Sequence, residues 1–153
     1  MGCCFSCDCS WCWYSDMSYK CAHFAIHELV PEGVYKARGE LAWSLMDERV
    51  LKTIDRLRER YGPMTINNYK WGGSRSWSGL RTPDSPYFSQ YSQHTFGRAI
   101  DCLFADISAE DVRKDINANP NHPDFELITA IEEGVSWLHI DCRNTDRLQR
   151  FYP

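Results

Sequence analysis

Residues 135–142 read Val-Ser-Trp-Leu-His-Ile-Asp-Cys, and this alternation constrains the fold more than any other feature of the chain. Successive side chains on a strand point to opposite faces. Trp137, His139 and Asp141 then share one face, and Leu138, Ile140 and Cys142 share the other. The aliphatic face needs a second layer to cover it. The opposite face carries an imidazole and a carboxylate, groups that are costly to bury without partners. A strand built this way is the wall of a site with a core behind it.

A second segment has the same character. Ser92-Gln-His94-Thr-Phe-Gly97-Arg-Ala99-Ile100-Asp101 places a His before a glycine turn and an Asp in the strand that follows. Gly97 lets the backbone turn tightly. Beyond it Ala99, Asp101 and Leu103 share one face, while Ile100 and Cys102 point to the core. If the two strands pair, His94, Asp101 and His139 converge. Two His and one carboxylate form a common ligand set for catalytic zinc, which keeps a fourth position for water. Residue types alone leave a metal site and a pair of structural histidines about equally open.

The rest of the chain supplies helices and a loop. Val50, Ile54, Leu57 and Tyr61 repeat at helical spacing, so a helix is expected from Asp47 to Tyr61, ended by Gly62-Pro63. Met64 to Tyr69 reads as a short strand. Lys70 to Tyr91 is a long loop whose Trp71, Trp77, Tyr87 and Tyr91 could rim a groove. Arg98 to Phe104 reads as a strand. Ser108 to Asn119 reads as a helix, with Ala109, Val112 and Ile116 as its buried stripe. Leu127–Glu132 and Val135–Cys142 read as a hairpin turning at Gly134. The elements do not alternate regularly, which favours an α+β fold, a small mainly antiparallel sheet flanked by helices.

Of the 153 residues, 14% are aromatic, and the net charge is −4 without a polybasic run. That balance argues against nucleic acid as a partner. No stretch is long and apolar enough for a membrane span, and the N-terminus lacks the pattern of a signal peptide. Cytoplasmic synthesis is therefore expected. Six of the eight cysteines lie in the first 21 residues. Residues 1–22 read as a Cys-rich N-terminal arm, and residues 23–153 as one folded domain. Cys9-x2-Cys12-x10-His23-x3-His27 comes near a Cys2His2 metal pattern with a short spacer, so a second metal in the arm stays open. Cys102 and Cys142 are expected to be buried free thiols.

Taken together, Ser92-x-His94-x-x-Gly97-x-Ala99-x-Asp101 and Trp137-x-His139-x-Asp141 resemble the D-alanyl-D-alanine carboxypeptidase-like zinc peptidases. That superfamily includes bacterial D,D-dipeptidases, phage L-alanyl-D-glutamate endolysins and the hedgehog signalling domain. The likeness is strongest to the short single-domain form of phages. It runs from about His23 to Asn144 and includes His23-Phe-Ala-Ile-His27-Glu-Leu29, Ile66-Asn67-Asn68 and Ser78-Gly79-Leu80-Arg81.

The resemblance implies a hedgehog-like fold and a zinc peptidase. Zinc would be held by His94, Asp101 and His139, and the substrate would be a peptidoglycan stem peptide. It implies that Arg81 contacts the substrate or the developing oxyanion, a role suited to a permanently charged fork of donors. Ser92 and Trp137 are expected beside the substrate, and Asp141 behind a ligand His or Arg81. The dipeptidases carry their basic Glu three residues before the last His, where this chain has Ser136. Glu132 and Glu133 are the candidates to replace it, with a slight preference for Glu132. The phage-like form implies a role at lysis or at the start of infection, from the host cytoplasm or on the virion. Ser136 also keeps open a non-catalytic zinc module of the same fold, serving structure or interaction.

Overall fold

A computed structural model describes residues 19–153 of the chain. The cysteines at positions 3–12, and with them the cysteine half of the suggested second metal pattern, lie outside the described residues. Tyr19 to His23 already packs on the domain, where Asp55 accepts hydrogen bonds from the Tyr19 hydroxyl (2.8 Å), the Ala22 N–H (2.7 Å) and the His23 N–H (3.1 Å).

Among the described residues the architecture is α+β, with three helices and a five-stranded mixed sheet. The helices are α1 (Glu32–Arg38), α2 (Glu48–Tyr61) and α3 (Ala109–Ala118), and 3-10 turns span Ile26–Glu28, Gly39–Leu45 and Tyr69–Trp71. The strands are β1 (Met64–Thr65), β2 (Ala99–Phe104), β3 (Ala130–Glu132), β4 (Leu138–Asp141) and β5 (Gln149–Phe151), in sheet order β1-β2-β4-β3-β5. Neighbours are antiparallel except β3 and β5, which run parallel.

α2 starts and stops where its sequence directs. Asp47 caps it by accepting from the Arg49 N–H at 2.9 Å, and Gly62 ends it at φ +84°. Val50, Ile54 and Leu57 are buried and Tyr61 is half-buried, stacked parallel to Phe125. Each buried aliphatic stabilises the fold by roughly 1.5–3 kcal/mol. α3 begins at Ser108, whose hydroxyl accepts from the Asp111 N–H at 3.0 Å, and buries Ala109, Val112 and Ile116 as expected. It also buries Arg113, which sequence periodicity does not anticipate.

β3 and β4 form the expected hairpin, with Gly134 at φ +77° in the connection. The strands are shorter than expected. The connection occupies residues 133–137, and Arg113 stops it joining the ladder by donating to the carbonyls of Val135 and Trp137, both at 2.8 Å. The strand expected over Met64–Tyr69 stops at Thr65, because Asn67 turns its hydrogen bonds to Glu28 and Ser78 instead. α1 was not legible in the sequence, since it buries none of its own residues and so carries no apolar stripe.

The sheet has one face per task. Ile100, Cys102, Leu138, Ile140 and Ile131 join α2 and α3 in a continuous core. Cys102 and Cys142 are buried free thiols, and burial pushes Cys142 up to about 12. The opposite face carries Asp101, His139, Asp141 and Glu132, and it opens into a cleft of about 630 Å³.

Candidate metal centre

Strand register brings the site together. Asp101 on β2 lies directly opposite His139 on β4, and Ala130 on β3 lies opposite Asp141. One step further along the β3–β4 register, Glu132 comes level with His139. The first His arrives from outside the sheet. It sits in a turn where Gly97 N–H donates to His94 O and Arg98 N–H donates to Gln93 O. Gly97 is at φ +66°, and a Cβ there would meet the Leu45 carbonyl oxygen at 2.0 Å. Only glycine fits, so the residue that turns the chain also presses it against the 39–45 segment.

His94, Asp101 and His139 are all buried, and each offers a ligand atom within 4.8 Å of the others. His94 Nε2 lies 3.3 Å from His139 Nδ1 and 3.3 Å from Asp101 Oδ2, and His139 Nδ1 lies 2.7 Å from Asp101 Oδ1. The back of each ring is held. His94 Nδ1 donates to the Gly79 carbonyl at 2.8 Å, and His139 Nε2 faces Asp141 Oδ2 at 3.4 Å. Those contacts leave His94 Nε2 and His139 Nδ1 aimed at Asp101, the arrangement that a metal-binding imidazole needs.

The donor set could hold a metal ion. Two donors about 2.1 Å from one tetrahedral ion lie roughly 3.4 Å apart. The two ring nitrogens, 3.3 Å apart, match that figure, and Asp101 turns a different oxygen to each ring, Oδ2 at 3.3 Å from His94 and Oδ1 at 2.7 Å from His139.

Electrostatics favour a cation at the same point. Burial holds the His94 pKa down, so that ring is neutral. Burial also opposes charge on His139, but hydrogen bonds to Asp101 and Asp141 outweigh it and raise the ring to about 9. For Asp101 burial pushes upward, yet the two imidazoles hold the carboxyl well below its usual range. A proton on His139 thus occupies the position that a metal ion would take, and a bound metal would displace it.

The remaining expected residues distribute unevenly. Arg81 lies in the cleft wall, with Nε donating to Trp77 O at 2.8 Å and Nη2 to Asp101 Oδ2 at 2.6 Å. Asp141 orients His139, not Arg81, and Arg143 grips its carboxylate from the other side. Ser92 lines the cleft and accepts from the His94 N–H at 3.3 Å, so it shapes the turn. Trp137 also lines the cleft.

Glu132 and Glu133 separate clearly. Glu132 lines the cleft, its charge reaches Arg81, and it has no hydrogen-bond or ion-pair partner among the described residues. Glu133 does not line the cleft. It faces Asn117 at 3.4 Å and Arg113 at 3.6 Å. Ser136 is exposed and outside the cleft as well.

Of the aromatic loop residues, Trp77, Tyr87 and Tyr91 line the cleft. Trp71 instead packs edge-on to His27, with ring centroids 5.2 Å apart. Sequence reasoning gave no role to several supporting residues, Ser78 of the Ser-Gly-x-Arg motif among them. Arg75 Nη2 donates to Asp101 O at 3.0 Å, Ser78 O accepts from the Asp101 N–H at 2.7 Å, and Phe151 meets the His139 ring edge-on. Arg143, two residues after Asp141, was the one with a visible signal, a cation next to a candidate carboxylate.

No family model matches this chain, and neither does any curated protein or solved structure.

Proposed function

We propose that this chain is a zinc-dependent peptidase that hydrolyses an amide bond in peptidoglycan stem peptides, as the resemblance to D-alanyl-D-alanine carboxypeptidase-like peptidases implies. One observation carries the reading: His94, Asp101 and His139 converge in the floor of a cleft that also holds the carboxylate of Glu132, which has no hydrogen-bond or ion-pair partner among the described residues. The cleft volume of about 630 Å³ falls in the range of small-ligand sites.

Zinc would be held by His94 Nε2, an Asp101 oxygen and His139 Nδ1. When bound, it supplies Lewis acidity to a carbonyl group and makes water acidic near neutral pH. Glu132 is the base. It takes a proton from the attacking water at its carboxylate and returns one to the leaving amine. Arg81 spends Nη2 on Asp101, and its fixed positive charge favours the negative charge that develops on the substrate oxygen. Ser92 and Trp137 flank the bound peptide, and Asp141 keeps His139 in its ligand tautomer. The phage-like resemblance implies a role for this activity at lysis or at the start of infection.

The test is zinc stoichiometry together with digestion of purified peptidoglycan. Wild type binds one equivalent and releases stem-peptide fragments. His139→Ala loses both. Glu132→Gln keeps zinc and loses roughly 100-fold or more in rate, whereas Glu133→Gln keeps both. Zinc at one equivalent with no cleavage would establish the non-catalytic module in place of the peptidase. A wild type that binds no zinc would overturn both.

A further inference from the structure

Trp77 and Arg81 line a second groove as well as the cleft. This groove, of about 570 Å³, lies beside α1 and the segment 82–84. Pro31, Val34, Leu45, Leu80 and Pro83 contribute apolar surface to it, and Arg38 and Asp84 bring opposite charges to its lining. Both charged residues are exposed, and neither side chain has a hydrogen-bond or ion-pair partner among the described residues. A lone cation and a lone anion beside one apolar surface suit a ligand that brings both charges with it.

We infer that this groove continues the cleft and holds the peptide substrate beyond the bond being cut, with Arg38 receiving a carboxylate and Asp84 an ammonium from flanking residues. The inference rests on the peptidase reading and names its substrate class: a peptide with one acidic and one basic residue on the same side of the scissile bond. The ligand passes over the wall shared by Trp77 and Arg81, so Arg81 separates the reacting bond from the recognition groove. Rim charges of this kind contribute little individually, and apolar contact along the groove supplies most of the affinity.

The experiment measures binding without turnover, by calorimetry on the zinc-loaded Glu132→Gln protein. One probe is an acetyl-capped alanine dipeptide amide. The others are that dipeptide extended by Glu and Lys, in either order and at either end. The extended peptide of correct polarity binds about tenfold tighter than the capped dipeptide. Arg38→Ala and Asp84→Asn each remove about two- to fivefold, and Arg38→Ala has no effect on a peptide whose Glu is replaced by Gln. Ala37→Trp, which fills the groove from an exposed position, abolishes the gain and leaves the capped dipeptide unchanged. Thermal melts of each variant confirm that the fold is intact.

Equal affinity for capped and extended peptides, or variants that weaken both alike, overturns the groove while the peptidase reading stands. A zinc-loaded wild type that neither binds nor cleaves any of these peptides, nor any stem peptide, overturns both.

Discussion

Replacing Gly97 with alanine tests whether the turn that delivers His94 depends on glycine for its conformation, for its space, or for both. Gly97 and Gly134 have similar backbones, with φ +66° and φ +77°. In each case an alanine costs about 1–2 kcal/mol for the left-handed conformation. Roughly 0.4–1 kcal/mol returns through the lost freedom of the unfolded chain. The net cost is therefore about 1 kcal/mol at Gly134, where an added Cβ meets only the Tyr152 ring at 3.4 Å. At Gly97 the Cβ falls 2.0 Å from the backbone oxygen of Leu45. That oxygen cannot swing away as a side chain would, because the Gly97 carbonyl accepts from the Asp47 N–H at 2.9 Å and ties the two segments together. Overpacking of this sort adds roughly 1–3 kcal/mol, which brings Gly97→Ala to about 2–4 kcal/mol. Urea unfolding followed by tryptophan fluorescence measures both variants. Gly97→Ala should also weaken zinc binding, since His94 sits in the displaced turn. Equal destabilisation at the two positions, within about 0.5 kcal/mol, would refute the role assigned to the Leu45 contact.

Other expectations are of similar reach. Asp141→Asn removes the carboxylate behind His139 and should weaken zinc roughly 10- to 100-fold in a chelator competition; unchanged affinity would remove Asp141 from the metal centre. Arg113→Met should destabilise by roughly 2–4 kcal/mol, because the Val135 and Trp137 carbonyls lose their donor in a buried setting. A loss below about 0.5 kcal/mol in urea unfolding would mean those carbonyls find water. Asp47 has a lowered pKa through its hydrogen bond with Arg49, so its contribution is present above the unfolded value near 3.9 and fades as pH falls through the folded one. The stability gap between wild type and Asp47→Ala, about 1 kcal/mol or more at pH 7, should accordingly shrink below about pH 4. A gap that stays constant to pH 2 would leave the carboxylate's charge without a role.

The legible parts of this chain are those whose signal is local. α2 and α3 announce themselves through apolar spacing and capping side chains, and β4 through its alternation. The illegible parts depend on partners far away in the sequence. α1 and the Gly39–Leu45 turn follow no period, since one packs without burying its own side chains and the other buries only Ala42 and Trp43. The shortness of β4 follows from Arg113, a residue more than twenty positions upstream that captures two carbonyls from the ladder.

The candidate site divides along the same line. Sequence alone determined which residues could meet a metal, because His94, Asp101 and His139 are the right chemistry on segments whose alternation aims them to one side. Sequence alone could not choose between Glu132 and Glu133, since adjacent residues on a strand face opposite ways and the turn at Gly134 hid which way the strand was set. Tertiary structure decided which of the two faces the cleft, through the β3–β4 register that aligns Ala130 with Asp141 and Ile131 with Ile140. With Ile131 committed to the core, Glu132 must face the cleft, and Glu133 turns toward Arg113 and Asn117. A one-residue slip of the pairing would reverse the two. The burial of Ile131 forbids that slip, which is why the core, and not the site, places the carboxylate.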